Sequence, residues 1–255
     1  MEGHRARRRF SQNFLHDAHY IERIVAAIGP RHDDIVVEIG PGLGALTEPL
    51  LDRLDRLHVV EIDRDLAARL VETHPSERLV VHLADALEFD FAALPAGLRV
   101  VGNLPYNIST PLLFRLAEFA GRLRDLTFML QKEVVDRMVA APGTPDYGRL
   151  SVMLQYRFDM ARLFDVPPGA FRPPPKVDSA VVRMVPRPAG ALAARDAARL
   201  AAIVTAAFGQ RRKTLRNAVA GLLEPGDIER AGIDPGVRGE TLSVDDFVRL
   251  ANAAR

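Results

Sequence analysis

The sequence contains no cysteine. That excludes a disulfide framework and any thiolate metal site, and it fits a chain kept in a reducing, cytoplasmic environment. Lysine is nearly absent too, 3 residues against 31 arginines. No apolar run approaches the roughly 20 residues that a membrane-crossing helix needs, so no membrane partner is expected. The arginine-rich start, Met1 to Arg9, is followed by no apolar stretch, which excludes a secretory signal. Motif residues begin at Phe10, which leaves little room for a mitochondrial presequence.

What is present is an ordinary globular balance over 255 residues, 48% apolar and 26% charged. That length holds one large α/β domain and a small appendage. The net charge of +1 says little, but its distribution says more. Between Asp33 and Arg99 stand 14 acidic residues against 6 arginines, a net of −8. Positive charge gathers at the ends: Arg5, Arg7, Arg8 and Arg9 in front, Arg211, Arg212, Lys213 and Arg216 behind. Such a chain can hold a small cofactor in one place and a polyanion in another; equally, the arginines can be solvated faces.

Five apolar, β-rich runs recur along the chain: Ile35–Ile39, Leu57–Glu61, Leu79–Leu83, Leu98–Gly102 and Leu126–Leu130. Helical spacing separates most of them, as in Leu43, Leu46, Leu50, Leu51 and Leu54, and again in Leu66, Leu70 and Val71. Ser109 is placed to cap a helix through Leu112, Leu113 and Leu116. Strands alternating with helices predict a parallel sheet covered on both faces. After Leu130 the rhythm changes. A helix is expected over Gly148–Tyr156, then an antiparallel hairpin of Ala161–Val166 and Val177–Val185 closing the sheet edge around a proline-rich connection. Helices over Ala197–Phe208, Arg212–Leu223 and Val244–Ala253 follow. The division expected is a Rossmann-like domain over 1–186 and an all-helical, RNA-binding domain over 187–255.

The first of these strands ends in Glu38-Ile39-Gly40-Pro41-Gly42-Leu43-Gly44. Close-set glycines let a backbone approach a ligand, and ligands bind at this end of a parallel sheet. Gly40, Gly42 and Ala45 also fit a dinucleotide pattern, so the turn alone leaves the ligand open. Glu61 ends the next strand, where a carboxylate can accept both ribose hydroxyls, and Asp85 follows the third, placed for an adenine amine. Three successive strand ends of this kind identify adenosine binding. Glu38, an acid just before the glycines, turns the choice from NAD toward S-adenosylmethionine by resemblance to methyltransferases.

The fourth strand ends in Asn103-Leu104-Pro105-Tyr106, similar to the Asn-Pro-Pro-Tyr-like signature of methyltransferases that act on exocyclic amines. The lone pair of such an amine is delocalised into the ring. Two acceptors on its N–H groups, the Asn103 side-chain carbonyl and the Leu104 backbone carbonyl, can concentrate it. Pro105 stiffens the turn, and Tyr106 offers a face for an unstacked base. The chemistry requires no metal. The alternative for the segment is a strand-ending turn with a half-buried tyrosine.

Further segments carry a resemblance across nearly the whole chain: Phe10-Ser11-Gln12-Asn13-Phe14-Leu15, Tyr147-Gly148-Arg149-Leu150-Ser151, Phe171-Arg172-Pro173-Pro174-Pro175-Lys176-Val177-Asp178-Ser179 and Gln210-Arg211-Arg212-Lys213-Thr214-Leu215-Arg216-Asn217. They resemble the ribosomal RNA adenine dimethyltransferase family, in its bacterial small-subunit branch. The resemblance implies a seven-stranded class I methyltransferase sheet with one reversed strand and a helical C-terminal domain. It implies that Asn13, Leu15, Gly40, Glu61, Asp85 and Asn103 contact S-adenosylmethionine. It implies a monomer that dimethylates two adjacent adenosines near the 3′ end of 16S ribosomal RNA within an immature small subunit. Phe171 would be a second aromatic at the target base, or else a core phenylalanine beside prolines. Arg7, Arg8, Arg211, Arg212, Lys213 and Arg216 are the phosphate contacts expected, with Arg212 and Arg216 one helical turn apart. Ser11, Ala84 and Gly239 depart from the family's usual residues, and none of them removes a functional group. The rivals are a large-subunit RNA methyltransferase of the antibiotic-resistance type, an assembly factor without catalysis, and a dehydrogenase.

Overall fold

A computed structural model describes residues 13–105, 107–210 and 212–253. Arg7, Arg8, Tyr106 and Arg211 lie outside the described residues. The chain divides into two compact units, one of residues 1–135 and 160–186, the other of 136–159 and 187–255. One division falls at Pro186, and residues 136–159, placed in the first domain by the sequence pattern, join the helical unit.

In the first unit a two-residue strand β1 (Phe14–Leu15) leads into helix α1 (Ala18–Ile28). Asp17 caps this helix by accepting from the His19 N–H, and Gly29 ends it in the left-handed region. Strands β2 (Val36–Ile39), β3 (Leu57–Glu61), β4 (Leu79–Leu83), β5 (Leu98–Asn103) and β6 (Leu123–Gln131) follow the expected runs. Between them lie α2 (Thr47–Leu51), α3 (Arg64–Thr73) and α4 (Ser109–Glu118). After α5 (Lys132–Val139) and α6 (Arg149–Arg157) come β7 (Phe158–Val166), β8 (Phe171–Arg172) and β9 (Ser179–Pro186).

The main sheet has seven strands in the order β4-β3-β2-β5-β6-β9-β7. Strands β2 to β6 run parallel and β9 pairs antiparallel with β6. This is the α/β methyltransferase sheet with its one reversed pair. The edge is closed by the expected pair, β7 and β9 being neighbours with β9 joined to β6, and the proline-rich connection between them carries β8, which pairs with β1. The chain winds from β2 outward to β4, then returns to place β5 on the other side of β2. That reversal opens a crevice at the carboxyl ends of β2 and β5.

Two helix expectations are corrected by backbone geometry. The helix through Leu43–Leu54 contracts to Thr47–Leu51, because Gly42 and Gly44 adopt φ of 58° and 88°, which a right-handed helix excludes. Ser109 does not cap α4; Ile108 holds the cap position and Ser109 is buried in the first turn.

The amino ends of the parallel strands are held by Arg99, 3% exposed. All five of its N–H groups donate: to Asp125 Oδ1 and Oδ2 at 2.8 and 2.9 Å, to Asp34 Oδ2 at 2.7 Å, and to the Ile28 and Gly29 carbonyls at 2.5 and 3.1 Å. One guanidinium thus satisfies the carbonyl end of α1 and bridges two carboxylates, which also pair with Arg124 and Arg183. Burial pushes the Asp34 carboxyl up, but the Arg31 N–H and the two guanidiniums more than offset it and hold it below its ordinary value.

The second unit is helical: α6, α7 (Ala197–Gly209), α8 (Leu215–Ala218), α9 (Pro225–Arg230) and α10 (Val244–Ala253). Tyr147, Val152 and Tyr156 share its core with Ile203, Val204 and Phe247, which explains why 136–159 belongs here. The helix expected over Arg212–Leu223 is confined to the four residues of α8. Thr214 is extended (φ −63°, ψ 155°) and Gly221 has a φ of 87°, so the chain enters and leaves helix abruptly. Arg212 precedes this helix, and the shared helical face expected for Arg212 and Arg216 is withdrawn. Gly239 has a packing reason, since a Cβ there would lie 2.9 Å from the Ala207 Cβ.

Replacing Arg99 by methionine leaves two buried carboxylates and two carbonyls without their central donor. The expected cost is roughly 3–5 kcal/mol of unfolding free energy, read as a lower urea midpoint with an unchanged slope.

Candidate active site

The crevice between β2 and β5 opens into a cavity of about 340 Å³ within the first unit, within the range typical of small-ligand sites. Its walls come from the carboxyl ends of β2, β3, β4 and β5, the turn after each, and β1.

Close backbone approach builds the floor. Strands β2 and β5 pair as far as Glu38 and Val101, and Gly102 then lies against the Ile39 backbone so tightly that a Cβ would collide with the Ile39 carbonyl. One residue on, the two functional turns start side by side. A Cβ on Gly40 (φ 66°) would stand 3.9 Å from the Asn103 carbonyl oxygen and from the Pro105 ring. Gly40 also donates its N–H to the Val60 carbonyl at 2.9 Å, which ties the glycine turn to β3. At Gly42 (φ 58°) a Cβ would press on the Phe14 ring at 3.2 Å, so β1 lies directly against the turn.

Asn103 is the polar group at the centre. Its Nδ2 donates to the Asn13 carbonyl at 3.2 Å. A carbonyl only accepts, so the amide has one satisfactory orientation, with Oδ1 turned away from Asn13. Asn13 is in turn fixed by the pairing of Phe14 and Leu15 with Arg172 and Phe171. Leu104, 1% exposed, holds its N–H on the Met129 carbonyl at 3.1 Å.

The acids sit on successive strand ends. Glu61, 5% exposed, accepts from the Asp63 N–H at 2.9 Å and the Gly42 N–H at 3.3 Å. Burial raises its carboxyl, and those N–H groups oppose the rise. Asp85 accepts the Leu87 N–H on Oδ1 at 2.8 Å, and its Oδ2 has no protein partner among the described residues. Glu38, 2% exposed, accepts from the Thr47 hydroxyl at 2.7 Å. Its carboxyl is pushed up to about 7 by burial, with the Thr47 hydroxyl opposing and the Glu61 charge adding to the rise. Among the described residues no three histidine or carboxylate groups gather in a metal-holding arrangement.

Of the site residues expected from sequence, Asn13, Leu15, Gly40, Glu61, Asp85, Asn103 and Leu104 all line this cavity. Phe171 does not. It is 2% exposed in the core with Leu15 and Val181, so no face of its ring is open to a base, and the stacking role expected for it has no support here. Arg212, Lys213 and Arg216 are exposed in the second unit and form no ion pair among the described residues. Sequence reasoning passed over Gly102, Thr47 and the Asn13 carbonyl. A lone glycine inside an apolar strand is the signal that marks Gly102.

A family model described as ribosomal RNA adenine dimethylase matches residues 3–255. The chain belongs to this family. Among its relatives, "Ribosomal RNA small subunit methyltransferase A" of Aromatoleum aromaticum is 67% identical over 99% of this chain and 95% of its own length. The protein of the same name from Neisseria meningitidis serogroup A is 55% identical, covering 99% and 97%. Among solved structures, a dimethyladenosine transferase from Plasmodium falciparum superposes with a TM-score of 0.77 at 25% identity, covering 93% of this chain and 95% of that one. The 23S rRNA methyltransferase ErmE gives 0.70 at 28% identity, covering 94% and 99%. The cavity residues named above therefore belong to a ribosomal RNA adenine dimethylase.

Alanine at Gly102 should force β2 and β5 apart, at a cost of about 2–3 kcal/mol. Alanine at Gly121, which has open space around it, should change stability by less than about 0.5 kcal/mol. Thermal denaturation of the two variants checks the contrast.

Proposed function

We propose that this protein transfers methyl groups from S-adenosylmethionine to the N6 amines of two adjacent adenosines near the 3′ end of 16S ribosomal RNA, in an immature small subunit. The observation that carries the reading is the Asn103 amide, pinned by the Asn13 carbonyl with its acceptor oxygen turned away from that carbonyl, beside the glycine turn.

The cavity fits the donor in size and wall chemistry. Gly40 and Gly42 lack the Cβ atoms that would narrow it, Glu61 is placed at the end of β3 for a ribose diol, and Asp85 keeps one carboxylate oxygen for an adenine amine. Asn13 and Leu15 cover it from β1. Bound there, the donor supplies an electrophilic methyl on a sulfonium.

The protein's part is to make a poor nucleophile adequate. Asn103 Oδ1 and the Leu104 carbonyl accept the two N6 hydrogens, which draws the nitrogen toward a tetrahedral geometry with its lone pair aimed at the methyl. Tyr106 stacks on the unstacked adenine. With both reactants held, orientation carries much of the rate. Each transfer leaves an extra proton on the nitrogen, which is shed to water, and the second methyl needs that the monomethyl amine re-enter with its one remaining hydrogen on one of the two acceptors.

A large-subunit target is the second reading, since ErmE shares the fold over nearly the whole chain. Identities of 55–67% to proteins named for the small subunit, against 28% to ErmE, favour the small-subunit target. Arg212, Lys213 and Arg216, exposed and without ion pairs among the described residues, supply cations for phosphate.

Labelled methyl transfer to under-methylated small subunits, with large subunits as control, tests the target. Product should form on the small subunit only. Asn103→Ala should lower the rate by about 10²-fold or more, with donor binding at least partly kept. Changing Arg212 and Arg216 together to glutamate should weaken RNA binding and reduce the slope of log affinity against log salt by about 1.5. An unchanged slope would remove these two residues from the RNA contact.

A further inference from the structure

The reaction just described makes no use of Glu38, although its carboxyl is part of the cavity wall. Among the described residues its one hydrogen bond is from the Thr47 hydroxyl, and no cation pairs with it. Glu61, on the neighbouring strand, is likewise buried and likewise without an ion pair among the described residues. The groups around Glu38 add no positive charge. Its register partners are Val59 of β3 and Val101 of β5, α2 contributes Thr47, and the other ionisable groups on the cavity wall, Glu61 and Asp85, are acids.

Two carboxylates buried together without a cation do not both hold charge cheaply. Glu61 is the better anion, because two backbone N–H groups solvate it. Glu38, with a single hydroxyl, is the better acid. Below neutrality the empty cavity therefore keeps a proton on Glu38, whose carboxyl is pushed up to about 7. The balance changes with the ligand, for S-adenosylmethionine carries one more positive charge than the sulfide left once its methyl has gone.

We propose that Glu38 senses the charge of the ligand: it is protonated when the cavity is empty or holds the sulfide product, and ionised when the cavity holds the sulfonium donor, so that the protein prefers donor over product. This rests on reading the cavity as the S-adenosylmethionine site. The proton balance is closed. On donor binding the Glu38 O–H bond breaks and the proton passes to the buffer; when the sulfide occupies the site, one proton is taken back from the buffer.

Titration calorimetry in buffers of different ionisation enthalpy counts these protons, using S-adenosylmethionine and S-adenosylhomocysteine as the two ligands. At pH 6 the donor should release close to one proton and the sulfide almost none. The donor-to-sulfide affinity ratio should rise about fivefold between pH 6 and pH 7. Glu38→Gln should abolish both the proton release and the pH dependence of the ratio. Thr47→Val, which removes the one group favouring the ionised form, should move the dependence to higher pH, a displacement that a purely structural role for Glu38 does not produce. Equal proton counts for the two ligands, or a ratio independent of pH in the unaltered protein, would overturn the proposal. Failure to bind either ligand would instead sink the reading of the cavity itself.

Discussion

Two strand ends pressed together without a side chain between them set the geometry of this protein. Gly102 of β5 lies on the Ile39 backbone of β2, at the point where the parallel sheet reverses its winding. Each strand then turns away into its own loop, and both loops begin at nearly the same height. Gly40 and Asn103 become neighbours for that reason alone, although 63 residues separate them. A ligand in the resulting crevice meets a glycine cradle on one wall and an amide on the other. The sheet also supplies the acids, since Glu61 and Asp85 stand at or just beyond the ends of β3 and β4.

The N-terminal strand ties these walls together. Phe14 lies under Gly42, Leu15 pairs with Phe171, and the Asn13 carbonyl receives the Asn103 amide. A segment of only two paired residues thus lines the cavity and orients the Asn103 amide. Glu61 adds a cross-tie by accepting from Gly42. At the opposite end of the sheet, Arg99 fixes α1 to the strands with all five of its donors. Anchoring at both ends suits the proposed reaction, in which orientation carries much of the rate.

The strands and the residues that line the cavity were legible in the sequence because their signals are local. Leu57–Glu61 and Leu79–Leu83 are apolar runs of strand length, and Glu61, Gly40 and Asn103 sit at the ends of such runs. The errors came where backbone conformation at one or two residues, or a distant part of the chain, overrides the pattern. The helical spacing of Leu43–Leu54 is real, yet Gly42 and Gly44 take left-handed conformations to form the cradle. Arg212–Leu223 reads as helix until Thr214 is extended and Gly221 turns left-handed. Residues 136–159 follow the strands in sequence but bury Tyr147 and Tyr156 among the C-terminal helices. Phe171 and the Asn13 carbonyl owe their places to the pairing of β1 with β8, two residues each, too short to leave any periodicity.

The central claim is that the Asn103 amide is held by the Asn13 carbonyl so that its oxygen faces the reacting amine. A crystal structure with S-adenosylhomocysteine and an RNA fragment carrying the target adenosines measures this directly. The account predicts Asn103 Oδ1 about 3 Å from N6, with Nδ2 still on the Asn13 carbonyl. An adenine whose N6 meets Nδ2, or which lies outside the crevice between Gly40 and Asn103, would contradict it.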